Sequence, residues 1–163
     1  MLFERIFKAL NQQRVKYVVI GGVAVNLHGF SRFTGDLDIA LSLTDVEIAK
    51  FVKVTKKLGL VPRLPVKIED FADPAKRTDW IEHKNMKVFS VYNPRNPMEH
   101  IDVMIHHVID FDKMHKNRVT MKEGTLRIPV VGIPDLIRLK ETAGRDRDAI
   151  DINVLRKIQR AKL

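Results

Sequence analysis

The chain has 163 residues, 45% of them hydrophobic, and carries 29 Lys and Arg against 20 Asp and Glu, a formal net charge of +9. The absence of cysteine excludes disulfides, thiolate metal centres and cysteine nucleophiles. No apolar run approaches the ~20 residues that cross a bilayer, so no membrane partner is expected and a cytoplasmic location is the default, while the basic excess favours polyanionic partners such as nucleotides or nucleic acid.

In chain order, Phe3, Ile6, Phe7 and Leu10 recur at helical spacing, which predicts an amphipathic N-terminal helix rather than a secretion signal. "VKYVVIGG" is a β-branched, aromatic run ending in glycines and predicts a buried strand, and "VAVNLHG" predicts a short helix stopping at Gly29. "DLDIALSL" alternates, with Leu37, Ile39, Leu41 and Leu43 on one face and Asp36, Asp38, Ala40 and Ser42 on the other. Thr44 can cap a helix over "DVEIAKFVKVTKKLG", with Val46, Ile48, Phe51, Val52 and Leu58 as its apolar side and Gly59 as its stop.

From Val61 to about Asn85 the chain holds Pro62, Pro65 and Pro74 and is expected to form one or two short helices, including "AKRTDWIEH", with Trp80 a core residue. "MKVFSVYN" and "EHIDVMI" predict two strands joined by "PRNP", and "RVTMKEGTLRIPVV" a further pair turning at Glu123-Gly124. His106-His107 reads as a loop pair, since adjacent side chains of an extended chain point to opposite sides. Pro134 suits the first turn of a helix over "DLIRLKETAG", and "DRDAIDINVLRKIQRAK" predicts another. The expected fold class is α/β (α+β): a mixed β-sheet flanked by helices, one domain over 1–163 with a core to about 131 and a C-terminal helical pair from about 133 to 162.

Asp36 and Asp38 leave one face of a strand roughly 6–7 Å apart. The aliphatic face opposite fixes their register, because a one-residue slip would bury both acids. Carboxylates this close repel, and a divalent ion such as Mg²⁺, which takes one or two carboxylates plus water and phosphate oxygens, relieves the repulsion. Asp102 lies between aliphatics in "EHIDVMI". If that strand neighbours "DLDIAL", Asp102 completes a three-carboxylate cluster suited to metal-assisted phosphoryl chemistry. Gly21-Gly22 follows a strand and precedes a helix, where bare backbone amides can approach a phosphate. Neither a Gly-x4-Gly-Lys-Ser/Thr loop nor a Gly-x-Gly-x-x-Gly fingerprint is present.

Gly21-Gly22, thirteen intervening residues, Asp36-Leu37-Asp38-Ile39 and a later Asp102 between aliphatics together resemble the nucleotidyltransferase superfamily related to polymerase beta. The segments "GGVAVNLHGFSRFTGDLDIAL" and "IPDLIRLKETAGRDRDAIDINVL" are similar to small prokaryotic nucleotidyltransferases of the abortive-infection toxin group and their uncharacterised relatives. The resemblance implies a nucleotidyltransferase-like core in which Asp36, Asp38 and Asp102 are catalytic and hold the metal, Mg or Mn. It also implies that Gly21 and Gly22 hold a nucleoside triphosphate (NTP), with Arg32 and Thr34 near its phosphates. Lys140 would reach the nucleotide or the transferred group, and Asp148 would orient Lys140 or the acceptor. The chain departs from the family pattern at Gly22, where many relatives carry a serine that touches phosphate, and the backbone is left to do the binding.

The function expected on this resemblance is Mg-dependent transfer of a nucleoside monophosphate from an NTP to an acceptor hydroxyl, with release of pyrophosphate. The acceptor is tRNA or another RNA, a protein or a small molecule. The alternative is a weak or inactive nucleotide-binding module of the same fold, or one component of a toxin–antitoxin pair with an antitoxin or toxin partner.

Overall fold

The computed structural model describes residues 1–163. Its elements in order are α1 (Glu4–Gln12), β1 (Tyr17–Val19), α2 (Gly21–Leu27), β2 (Leu37–Leu41), α3 (Asp45–Leu58), β3 (Val61–Pro62), a 3₁₀ turn (Ile68–Ala72), α4 (Pro74–Lys84), β4 (Val88–Asn93), β5 (Asn96–Met104), α5 (Phe111–Lys116), β6 (Val119–Glu123), β7 (Leu126–Val130), α6 (Ile133–Ala143) and α7 (Asp148–Ala161). The fold is α/β, and no helix is long and apolar enough to cross a membrane.

The seven strands form one mixed sheet in the order β3-β4-β5-β2-β1-β7-β6. At its centre β1 pairs antiparallel with β2 and parallel with β7, while β2 pairs parallel with β5. The hairpins β4–β5 and β6–β7 carry the sheet outward on either side. All three residues of β1 are buried, so both faces of the central strand are covered by protein. In β2 the period of two places Leu37, Ile39 and Leu41 in the core with no exposure, and Ile101 and Val103 of β5 are equally buried beside them.

Local chemistry sets the helix ends. The Thr44 hydroxyl accepts from the Glu47 N–H at 3.4 Å to open α3, and Gly59, at φ 70°, closes it. Asp73 accepts from the N–H groups of Ala75 and Lys76 ahead of Pro74, which opens α4. An aromatic ladder holds the middle of the chain to the sheet: Phe71 meets Phe51 edge-on at 5.9 Å and stacks on Phe89 at 4.6 Å, and Trp80 stacks on the same Phe89 at 5.4 Å. Trp80 is thus a core residue, as the sequence predicts.

Some expectations are corrected. Val46 is 65% exposed, not part of the apolar side of α3. Its neighbour Glu47 is buried instead, because it accepts from the Lys16 backbone N–H at 2.7 Å and from Lys50 at 2.7 Å. Leu43 lies beyond the end of β2, and α2 begins at the glycines themselves, not after them. The edge strand β3 and the short α5 carry too little periodicity to be read from sequence, although Asp110 caps α5 by accepting from Lys113 N–H.

Phe89 is fully buried between Phe71 and Trp80, so Phe89→Ala should cost about 3–5 kcal/mol of unfolding free energy, read as a lowered midpoint in urea at unchanged slope.

Candidate active site

The site begins where β1 runs into α2. Gly21 takes φ +65°, a conformation that side-chain-bearing residues rarely adopt, and a Cβ there would lie 2.0 Å from Asp38 Oδ2. Glycine is therefore required twice at this position, once by the backbone and once by the carboxylate resting on it. The Gly22 N–H also faces Asp38.

At Gly22 the crowding comes from two side chains alone. A Cβ at this position would meet Thr34 Oγ1 at 2.6 Å and Arg32 Nη2 at 3.1 Å. The side chain missing at Gly22 is thus replaced, in space, by the hydroxyl of Thr34 and one terminal nitrogen of Arg32. That loop is pinned to α2 by Asn26, whose Oδ1 accepts from the Arg32 backbone N–H at 3.1 Å and whose Nδ2 donates to the Arg32 carbonyl at 2.9 Å. The structure therefore brings Gly21, Gly22, Arg32 and Thr34 together.

The parallel pairing of β2 with β5 sets Asp38 directly opposite Asp102. Asp36 stands one residue before β2 and is exposed, its Oδ1 2.9 Å from His100 Nδ1. The other ring nitrogen of His100 lies 2.8 Å from Asp102 Oδ1, so one imidazole stands between two of the acids. Ser90, the register partner of Asp102 on β4, donates its hydroxyl to the same Asp102 Oδ1 at 2.5 Å. No three metal-type side chains converge on a single point: Asp38 and Asp102 pair, and Asp36 is turned toward His100.

Burial, reinforced by the charges of Asp102 and Asp36, pushes the Asp38 carboxyl up to about 6, with Arg145 and the Gly22 N–H acting weakly in the opposite direction. The half-buried Asp38 carboxylate, opposite Asp102 in register, offers oxygen donors of the kind a hard divalent cation takes. Asp38 and Asp102 could hold one, with Asp36 beside them.

Lys140 is only 3% exposed and does not lie on a solvated helix face. Its Nζ donates to Asp148 Oδ1 at 3.1 Å and Asp151 Oδ2 at 2.8 Å. Arg145 Nε pairs with Asp148 at 2.8 Å, and Arg32 Nη2 with Asp151 at 2.8 Å. Burial pushes Asp148 up, but the hydrogen bonds from Arg145 and Lys140 outweigh it and hold the carboxyl below the usual carboxylate range. Lys140 is thus joined to the glycine turn through Asp151 and Arg32, although its own ammonium is already paired. Asp151, Ser90 and Asn26 were not singled out from the sequence. Asp151 lies one helical turn from Asp148, so the i, i+3 spacing was the signal available for it.

Beside the acids opens a cleft of about 480 Å³, floored by Gly21, Asp38 and Asp102 and walled by Val88, Met104, Leu136 and Leu139, with Lys87 and Arg145 among its basic residues. A depression of about 530 Å³ by the N-terminus holds no such acid pair, since its Glu4 and Glu99 are matched by Lys8 and Arg5.

The family described as "Nucleotidyltransferase of unknown function (DUF6036)" matches residues 1–161. The chain belongs to this family. It is a nucleotidyltransferase whose acceptor is unknown. No protein of curated function matches it in sequence. Among solved structures it is similar to the lincosamide antibiotic adenylyltransferase LnuA, at 14% identity and a TM-score of 0.62 over 94% of this chain and 93% of that one. The Thermotoga maritima protein TM1012 is similar at 13% identity and a TM-score of 0.59, over 98% and 91% of the two chains. The antibiotic-resistance factor ANT(2'')-Ia gives 12% identity and a TM-score of 0.57, over 99% and 90%. At such identities the likeness shows a shared fold.

Two measurements test the site in the nucleotidyltransferase without ligand. Gly22→Ser should cost about 1–3 kcal/mol in urea unfolding, and adding Thr34→Ala should recover part of that loss, because the side chains compete for one space. For Asp38 the folded pKa lies above the unfolded one, so the folded state keeps a proton that the unfolded chain releases between pH ~4 and ~6. Stability therefore falls as pH rises through that window. In chelator, Asp38→Asn should match the wild type near pH 4 and exceed it above pH 6 by about 1–3 kcal/mol, visible as a thermal midpoint gap that opens with pH. A gap independent of pH would refute the assignment.

Proposed function

We propose that the protein transfers a nucleoside monophosphate from an NTP to an acceptor hydroxyl, releasing pyrophosphate in a Mg²⁺- or Mn²⁺-dependent reaction. The observation that carries this reading is the acid pair Asp38 and Asp102, held in register on neighbouring strands against a glycine turn that has no room for a side chain. The family match and the fold shared with adenylyltransferases support it.

The acceptor oxygen forms a bond to the α-phosphorus while the bond to the bridging oxygen of the β-phosphate breaks. The leaving pyrophosphate takes that electron pair, and the hydroxyl proton passes to solvent. Gly21 offers its backbone amide to the phosphates beside Gly22, whose own N–H faces Asp38, with Thr34 Oγ1 and Arg32 grouped over the same turn. When bound, the divalent ion supplies charge neutralisation and lowers the pKa of the attacking hydroxyl. Asp38 and Asp102 would hold the ion, with Asp36 beside them, and the Ser90 hydroxyl fixes the Asp102 carboxylate. The nucleoside or acceptor enters the adjoining cleft, lined by Val88, Met104, Leu136 and Leu139 together with Lys87 and Arg145. Lys140, buried between Asp148 and Asp151, acts by joining the C-terminal helices to the phosphate-binding loop.

Incubation with Mg²⁺, each α-labelled NTP in turn and a cell extract containing RNA, protein and small molecules tests the reading. Label should move to one class of acceptor, and Asp38→Asn should lower the rate roughly a hundredfold or more while circular dichroism stays unchanged. Undiminished transfer by that variant in Mg²⁺ would sink the role given to Asp38, and NTP binding without pyrophosphate release would replace transfer by nucleotide binding. Mg²⁺ or Mn²⁺ should also raise the thermal midpoint of the wild type at pH 7.5 and leave that of Asp38→Asn nearly unmoved.

A further inference from the structure

Two carboxylates on α7, Asp148 and Asp151, are 1% and 2% exposed and share a single ammonium, that of Lys140. Buried carboxylates are costly unless each is matched, and one lysine cannot match two. Each therefore has an arginine of its own: Asp148 takes Arg145 from the preceding loop, and Asp151 takes Arg32 from the segment between α2 and β2. The second pairing joins positions 119 residues apart in the chain.

Arg32 is held at several points. Nη2 donates to Asp151 at 2.8 Å, Nη1 donates to the Phe33 carbonyl at 3.2 Å, and Asn26 grips its backbone. Nη2 also lies against Gly22, 3.1 Å from where a Cβ would stand. Each terminal nitrogen of a guanidinium carries two N–H groups, so one on each remains for a ligand, and the side chain is 30% exposed. With both terminal nitrogens anchored and Nε buried, the guanidinium is held in one orientation, which flexible side chains achieve only at an entropic cost.

We propose that Asp151 is a positioning residue for nucleotide binding: from α7 it orients the Arg32 guanidinium over the Gly21-Gly22 turn, so that the free N–H groups of Arg32 meet the phosphates of the NTP. The assignment rests on the phosphate-binding reading of that turn. It makes the C-terminal helix pair part of the phosphate site, not merely a cover for the sheet. The affinity gained from phosphates, as opposed to the nucleoside, depends on Asp151.

The test uses the full chain with Mg²⁺ and calorimetric titration of the tightest-binding NTP, its nucleoside and inorganic tripolyphosphate. Asp151→Asn should weaken NTP and tripolyphosphate binding about tenfold and leave nucleoside binding unchanged. Arg32→Ala should do the same, and the double variant should lose no more than Arg32→Ala alone, since both changes remove one interaction. Should Asp151→Asn fail to fold, Asp151→Glu keeps the charge but displaces the carboxylate, and the same selective loss is expected. Unchanged NTP affinity in either folded variant, equal weakening of nucleoside and NTP, or losses that multiply in the double variant would each overturn the assignment while leaving the phosphate site intact. A wild-type chain that binds the NTP no tighter than the nucleoside would overturn the phosphate reading itself, and this assignment with it.

Discussion

Asp38 faces Asp102 because β2 and β5 lie side by side in a register that their opposite faces dictate. Leu37, Ile39, Leu41, Ile101 and Val103 are fully buried, and at about 2 kcal/mol each their removal from water contributes on the order of 10 kcal/mol. Desolvation of the Asp38 carboxylate, reinforced by the charges of Asp102 and Asp36, opposes this by roughly 3 kcal/mol, the free energy of its pKa displacement to about 6. The aliphatic face wins, and the acids are held together against their own repulsion. A slip by one residue would turn the carboxylates onto the face that packs the core.

The glycine turn is shaped by the same strand pair. Asp38 occupies the space of a Gly21 side chain, and Thr34 with Arg32 occupies that of Gly22. The two glycines therefore do different work: the first lets a carboxylate lie on the backbone, and the second admits a hydroxyl and a guanidinium from a loop further along. The loop reaches its place because Asn26, on the helix that the glycines open, bonds both the N–H and the carbonyl of Arg32. Removing a side chain at Gly22 has not left the turn without polar groups, since Thr34 supplies one from outside.

The C-terminal helices are tied to this arrangement by charge. Lys140, Asp148, Asp151, Arg145 and Arg32 form a connected network that crosses from α6 and α7 to the loop before β2. Buried ion pairs are weak stabilisers compared with apolar packing of equal volume, because desolvation offsets much of the attraction. What they do set is relative position, since a charge left without its partner in the interior is heavily penalised. The network makes the geometry of the phosphate loop dependent on α7.

The local sequence by itself determined the central strands, both C-terminal helices and the caps of α3, because periodicity, capping and glycine conformation act over a few residues. The sequence grouped Gly21, Gly22, Arg32 and Thr34 only through its family resemblance, without saying that the loop fills the void at Gly22. It did not yield β3, α5 or the burial of Glu47, whose partner Lys16 lies 31 residues away in the chain. The pairing of Asp102 with Asp38, the imidazole of His100 between two acids, and the sharing of Asp151 by Lys140 and Arg32 were decided only by tertiary structure. Each of these joins residues distant in the chain, and the free energy of a charge depends on which neighbours the fold brings to it and how much water it removes.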